Sequence, residues 1–192
     1  MLSTLTVTPD RSQFFQYDQI TLTCVTNSSG WKVMSTIKTS PLQERQFSLA
    51  ISKSCTIEDA YPTDTGVYWC QSEQGECSNR VNITVTEGSV ILKSPSCPVF
   101  EGENVTLGCF YKENGISTSN FEAAFYKDDV FIGKEKRGKM TIKAEEGFYK
   151  CVHPSKGESP KSWLAVKGVA SSRESTQTNC NSNEPEPEVS SL

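Results

Sequence analysis

Asp64-Thr65-Gly66-Val67-Tyr68-Trp69-Cys70 is the stretch that decides the fold. It returns in the second half of the chain as Glu145-Glu146-Gly147-Phe148-Tyr149-Lys150-Cys151. In both, an acid stands six positions and a glycine four positions ahead of a cysteine, with a tyrosine two positions ahead. The acid and glycine suit a tight turn entering a strand, and strand alternation then puts Tyr and Cys on one face. Toward the N-terminus, Ile20-Thr21-Leu22-Thr23-Cys24 and Val105-Thr106-Leu107-Gly108-Cys109 each end on an earlier cysteine, 46 and 42 residues before the later one. Toward the C-terminus follow Val81-Asn82-Ile83-Thr84-Val85 and Trp163-Leu164-Ala165-Val166. These segments alternate apolar and polar residues, with Gly, Pro, Asn and Ser clusters between them. The chain reads as all-β, with one sandwich pattern written twice.

The spacing specifies the sandwich. In an immunoglobulin-type domain, cysteines of strands B and F bridge facing sheets, and a tyrosine two residues before the second cysteine bonds back to the E to F corner. Pairs Cys24 with Cys70 and Cys109 with Cys151 fit, as do Tyr68 and Tyr149. Trp31, seven residues after Cys24, stands where strand C carries its core tryptophan; in the second copy Phe125 or Tyr126 is expected to fill that volume. Intervals of 46 and 42 residues are too short for the two added strands of a variable-type domain, which predicts two C2-type sandwiches. The expected domains are residues 1–87 and 88–167, joined through Glu87-Gly88-Ser89. So short a linker predicts a bent, partly packed hinge. Residues 168–192, running through Asn183-Glu184-Pro185-Glu186-Pro187-Glu188, lose all periodicity and read as a disordered stalk or tail.

Composition narrows the function. Eight cysteines among 192 residues that are only 35% hydrophobic fit a disulfide framework in an oxidising compartment. The first thirty residues show no basic segment followed by an apolar one, so the chain is expected to be a mature extracellular one, secreted or from a receptor ectodomain. No apolar run is long enough to cross a bilayer. The net charge of -4 argues against nucleic acid. That charge is uneven: residues 1–87 hold six Lys/Arg against nine Asp/Glu, and residues 88–167 hold twelve against ten. Six residues separate the closest cysteines, Cys70 and Cys77, too many for a zinc knuckle, so no metal or other cofactor is expected. The one histidine, His153, followed by a Pro-Ser-Lys-Gly loop, reads as a surface residue and not as the base of a triad, and no enzyme is expected. Asp128-Asp129 and Glu145-Glu146 read as solvated acids.

Four cysteines remain. Cys55 follows the Phe47-Ser48-Leu49-Ala50-Ile51 region where strand E should begin, and Cys77 lies in the F to G turn, so a second bridge between them is expected. Cys97 and Cys180 either pair with each other or let one of them link two chains as a dimer. Sequons at Asn27, Asn82 and Asn104 are candidate N-glycosylation sites. Lys134, Lys136, Arg137 and Lys139 form a basic cluster that Lys112 and Lys156 could join at the sheet ends, a patch able to steer an acidic partner. Trp69 should face outward on strand F, covered by a neighbour or exposed as a contact anchor.

Gly66-Val67-Tyr68-Trp69-Cys70-Gln71 with Gly75-Glu76-Cys77-Ser78-Asn79, the run from Val81 to Lys93, and Gly147 to Cys151 followed by Glu158 to Leu164 resemble the membrane-distal domain pair of Fc receptors. The resemblance covers residues 4 to about 168 and is closest to the Fc-receptor-like, leukocyte immune-type receptors of bony fish, with Cys55 and Cys77 part of it. It implies a sharply bent pair that binds a protein ligand, foremost an immunoglobulin Fc region. Relatives use the second domain's B to C, C′ to E and F to G loops and the hinge. By position these are Lys112, Glu113 and Asn114 (with Tyr111 before them); Lys134, Lys136 and Arg137; His153, Pro154, Ser155 and Lys156; and Glu87 and Gly88. The two tryptophans that clamp an Fc proline in mammalian IgG receptors are replaced here by Gly88 or Ser89 and by Lys112. A class I histocompatibility-like ligand, or cell adhesion, is the alternative.

Overall fold

A computed structural model of the chain describes residues 3–36 and 54–168. The expected disordered tail with Cys180, and the stretch 47–51, lie outside the described residues. The first sandwich contains β1 (Thr4–Thr8), β2 (Gln13–Phe15), β3 (Ile20–Val25), β4 (Trp31–Ser35), β5 (Ser54–Ile57), β6 (Gly66–Ser72) and β7 (Val81–Thr86). The second contains β8 (Val90–Lys93), β9 (Val99–Phe100), β10 (Asn104–Glu113), β11 (Ile116–Thr118), β12 (Ala123–Lys127) and β13 (Val130–Glu135). It continues with β14 (Lys139–Lys143), β15 (Gly147–His153), β16 (Gly157–Glu158), β17 (Ser162–Leu164) and β18 (Val166–Lys167).

Each half closes two sheets face to face. In the first, β1-β3-β5 faces β2-β7-β6-β4. In the second, β8, β11 and β14 flank β10 in one sheet, and β13-β12-β15 continues to β16 and β17 in the other. Alternation produces the cores: in β3, Ile20, Leu22 and Cys24 are buried, and in β7, Val81, Ile83 and Val85 are. Disulfides Cys24–Cys70 and Cys109–Cys151 cross from sheet to sheet, with Cα separations of 5.9 and 5.8 Å. Closing loops of this length, each contributes about 4 kcal/mol on the chain-entropy account. The tyrosine corners form as the spacing predicts: Tyr68 Oη donates to the Asp64 carbonyl at 2.6 Å and Tyr149 Oη to the Glu145 carbonyl at 2.9 Å. Trp31 is buried with its Nε1 donating to Ser28 Oγ at 2.9 Å. Phe125, opposite Cys151 in register, takes the tryptophan's place in the second core, while Tyr126 is only half-buried.

The remaining cysteines depart from expectation. Cys55 is a free thiol, so the expected bridge to Cys77 does not form. Cys55 points inward beside Leu22, whereas Cys77 pairs with Gln71, the residue after inward-facing Cys70, and so shares the outer side of the opposite sheet. A sheet layer separates the two side chains, and no disulfide geometry spans it. Burial pushes the Cys55 thiol up from its ordinary pKa. Cys97 is also free within the chain, against the expectation that it pairs with Cys180. Its Sγ is turned against the first domain, 3.6 Å from Asn79 Nδ2 and 3.8 Å from the Leu5 carbonyl.

Nor are the acid pairs simply solvated. Asp128 and Asp129 both have positive φ, 47° and 63°, in the two-residue turn between β12 and β13. Asp128 Oδ1 accepts the Phe148 amide at 2.9 Å, and Asp129 accepts Lys161 at 2.6 Å. Glu145 pairs with Lys127.

The two sandwiches meet along β2 and β8. Gln13, 1% exposed, inserts its amide between them: Oε1 accepts the Leu92 amide at 2.8 Å and Nε2 donates to the Pro160 carbonyl at 2.8 Å. Beside it, Ser12 Oγ lies 2.7 Å from Ser162 Oγ and 3.3 Å from Ser94 Oγ, a buried hydroxyl cluster drawn from both domains. Asp10 Oδ1 accepts from Ser96 Oγ at 2.6 Å. Truncating Gln13 would orphan the buried Leu92 amide, at a cost of about 1–3 kcal/mol, while the Pro160 carbonyl keeps its bond from Ser159 Oγ. Gln13→Ala is therefore expected to lower the urea midpoint and to speed hydrogen exchange at the Leu92 amide.

Candidate functional site

Asp18 stands at the centre of the hinge. Tyr17, with φ 68°, turns the chain between β2 and β3 and helps aim the Asp18 carboxylate back over it. Oδ2 accepts from Arg11 Nη2 at 2.8 Å and from the Phe15 amide at 3.0 Å. Oδ1 accepts from Lys112 Nζ at 2.9 Å, which crosses from the second domain and lies 5.3 Å from the Phe15 ring. The Lys112 amide also donates to the Ser89 carbonyl at 2.9 Å, tying β10 to the linker. Lys93 lies 3.5 Å from the Phe110 ring centroid nearby. Burial first, and the Arg11 charge second, pull the Lys93 ammonium down to about 8. Burial likewise pulls Arg11 down, opposed by Asp18.

Next to the hinge, the B to C and F to G loops form one surface. Asn114 and Gly115 have φ of 51° and 79°, so the β10–β11 connection is an Asn-Gly hairpin. Lys156 Nζ reaches Glu113 Oε1 at 2.9 Å and lies 5.2 Å from the Tyr111 ring. His153 packs on Phe121 and Tyr111 with ring centroids 4.3 and 5.0 Å away. Its Nδ1 accepts the amides of Ser155 and Lys156, each at 3.1 Å, which fixes the Pro154 turn. Burial, then the Lys156 charge, lower the His153 pKa.

Several residues of the basic cluster are engaged in ion pairs. Lys112 is held by Asp18 and Lys156 by Glu113. Lys134 is 3.7 Å from Glu122. Lys136 and Arg137 are exposed between β13 and β14, without an ion pair among the described residues. Glu87 and Gly88 are exposed in the linker. Trp69 is half-buried beneath Arg80, whose guanidinium lies 5.0 Å from its ring, which matches the covered reading of this residue.

Two apolar features escape a reading of sequence. Val130, Phe131 and Ile132 are all exposed on β13, the edge strand of its sheet. Phe148 and Trp163, opposite each other across β15 and β17, stand 37% and 39% exposed with ring centroids 4.8 Å apart. Only the consecutive apolar run at 130–132 carries a local signal, because alternation would bury every second residue of it. The aromatic pair exists only through strand register.

No family model matches the chain. It is similar to Fc receptor-like protein 5 of Mus musculus, 28% identical over 167 residues covering 80% of this chain and 26% of that protein. It is also similar to Fc receptor-like protein 4 of Homo sapiens, 30% identical over 107 residues covering 55% of this chain and 19% of that protein. The chain thus spans about a quarter or less of the length of these curated relatives. Among solved structures it matches murine CEACAM1b with a TM-score of 0.32 and 16% identity, covering 86% of this chain and 100% of that one. It matches the mouse coronavirus receptor-binding domain complexed with its murine receptor with a TM-score of 0.34 and 14% identity, at the same coverages.

Removing Asp18 would leave Arg11 and Lys112 unneutralised in a half-buried site, at a cost of about 1–3 kcal/mol. Asp18→Ala should show that loss in chemical denaturation, with Lys112→Met added on top recovering part of it. For His153, a folded pKa below the ordinary value of about 6.5 means that the unfolded chain binds the proton first, so its contribution is present above that value and is lost as pH falls through the lowered one. Protection factors of the Ser155 and Lys156 amides, measured against the intrinsic exchange rate at each pH, should fall on acidification from pH 7 to 5, and His153→Phe should remove that fall.

Proposed function

We propose that the chain is the ligand-binding domain pair of an extracellular, Fc receptor-like immune receptor, and that it captures a protein without catalysing a reaction. One observation carries this reading: the similarity to Fc receptor-like proteins runs through both sandwiches, across 80% of the chain. The geometry supports it. Lys112 links the second domain's B to C region to Asp18 across the hinge, while Lys156 joins Glu113 to the F to G loop. A rigid rim of this kind presents loops from fixed scaffolds, the usual arrangement for recognition.

The ligand we favour is an immunoglobulin heavy-chain constant region, gripped by Glu113, Asn114, the His153–Lys156 turn and the Lys134, Lys136 and Arg137 loop. With Lys112 and Lys156 already neutralised, the exposed Lys136 and Arg137 are the cations of these loops left to meet an acidic partner. A second reading, adhesion or recognition of a class I-like surface protein, is favoured by the apolar edge of β13 at Val130, Phe131 and Ile132. An edge strand with exposed apolar side chains is a template for another chain.

Surface plasmon resonance with purified immunoglobulin classes and class I-like proteins of the same species separates the two. On the first reading, Lys134→Glu/Lys136→Glu/Arg137→Glu weakens immunoglobulin capture by at least about tenfold (about 1.4 kcal/mol) at an unchanged melting temperature, and Phe131→Lys leaves capture intact. Failure of every immunoglobulin class to bind the wild-type protein would sink it. Loss of binding on Phe131→Lys alone moves the site to β13.

A further inference from the structure

We infer that Asn82 carries an N-linked glycan whose first sugars lie in the cleft between the two sandwiches, stacked on Phe148 and Trp163. The sequon Asn82-Ile83-Thr84 falls on β7, where Val81 and Ile83 face the core and Asn82 is exposed on the outer side. That outer side is one wall of a cleft of about 310 Å³. The opposite wall is second-domain: Pro95, Pro98, Phe148, Lys161 and Trp163.

Chemistry selects the occupant. The Phe148–Trp163 pair is edge-to-face with an interplanar angle of 65°, so its rings offer broad apolar surface that no described side chain covers fully. A β-linked N-acetylglucosamine has one face made of C–H groups, which packs against the electron-rich face of an aromatic ring. Its N-acetyl and hydroxyl groups need hydrogen-bond partners. Arg80 and Lys161 line the same cleft from opposite domains, Arg80 being positioned by its stacking on Trp69. A volume of 310 Å³ is at the small end of ligand pockets, suited to a sugar core and too small for a partner's loop cluster. The occupant also comes tethered, since Asn82 itself lines the cleft, so the sugar has no translational freedom left to lose on seating. Asn27 and Asn104 are exposed outside this cleft, and sugars there would project into solvent. Disulfides in both domains fit passage through the oxidising compartment where such glycans are attached.

A glycan seated in this way bridges β7 of the first domain to β15 and β17 of the second. It braces the hinge through residues apart from the loops proposed to bind ligand, and it takes an aromatic surface out of contact with other proteins.

The test uses the chain secreted from a eukaryotic host. Glycopeptide mapping should find Asn82 occupied. Peptide N-glycosidase acting on the folded protein should release the Asn82 glycan about tenfold more slowly (about 1.4 kcal/mol) than those at Asn27 and Asn104, with the difference vanishing after denaturation. Trp163→Ala, checked for folding by its melting temperature, should speed release at Asn82 and leave the other sites unchanged. If that variant does not fold, the wild-type rates at the three sites decide alone. A bare Asn82, or release from the folded protein as fast as at the other sites, overturns the inference. Thr84→Ala removes the sequon without touching the loops, so unchanged ligand capture by that variant keeps this result separate from the binding proposal.

Discussion

Two cross-sheet disulfides set everything else. Each sandwich is a lean domain whose core is a single layer of side chains between sheets, and a chain this poor in apolar residues has little burial in reserve. Cys24–Cys70 and Cys109–Cys151 fix the distance between facing sheets at their centres. With that distance set, Trp31 in one core and Phe125 in the other sit beside the sulfurs, and Tyr68 and Tyr149 are carried to the corners where their hydroxyls reach the Asp64 and Glu145 carbonyls. The loops at the ends inherit their positions from this frame.

The joint between the domains works by different physics. Its centre is polar: a buried glutamine amide, three serine hydroxyls and the carboxylates of Asp10 and Asp18. Apolar surfaces tolerate sliding, but a Gln13 amide that must satisfy Leu92 and Pro160 at once has one registration in which both bonds are made. Directional bonds of this kind contribute modestly to stability and strongly to angle. The cost falls on the charge pattern. Lys112, counted by position among the loop residues, has its ammonium turned onto Asp18, so it serves the hinge geometry before it can serve a ligand.

What the sequence revealed follows from how local each determinant is. The disulfide pairs, tyrosine corners and core tryptophan depend on intervals along one strand or between neighbouring ones, and the repeat displays them twice. Cys55 misleads because pairing depends on which face of which sheet a thiol occupies, and the turn holding Cys77 places it outside while Cys55 points in. Asp128-Asp129 reads as solvated because nothing local shows that a left-handed turn aims one carboxylate at the Phe148 amide and the other at Lys161. Asn114-Gly115, by contrast, is a hairpin signal present in plain sequence. Gln13 carries no signal at all: a glutamine between a serine and two phenylalanines becomes the hinge pin only when β8 arrives beside it.

The same distinction between local and assembled determinants separates the molecule's surfaces. Around the rim nearest the hinge, cations that sequence counts as free are paired, Lys112 with Asp18 and Lys156 with Glu113, while Lys136 and Arg137 stay exposed between β13 and β14. Lined by none of these loop residues, a separate cleft at the junction has two half-exposed aromatic rings and a sequon asparagine on its wall. A joint fixed by directional hydrogen bonds keeps that cleft at one width, and a cleft of constant width can hold a tethered sugar in one pose. Rigidity set by Gln13 and Asp18 therefore governs both surfaces at once, the loop rim through its orientation and the cleft through its shape.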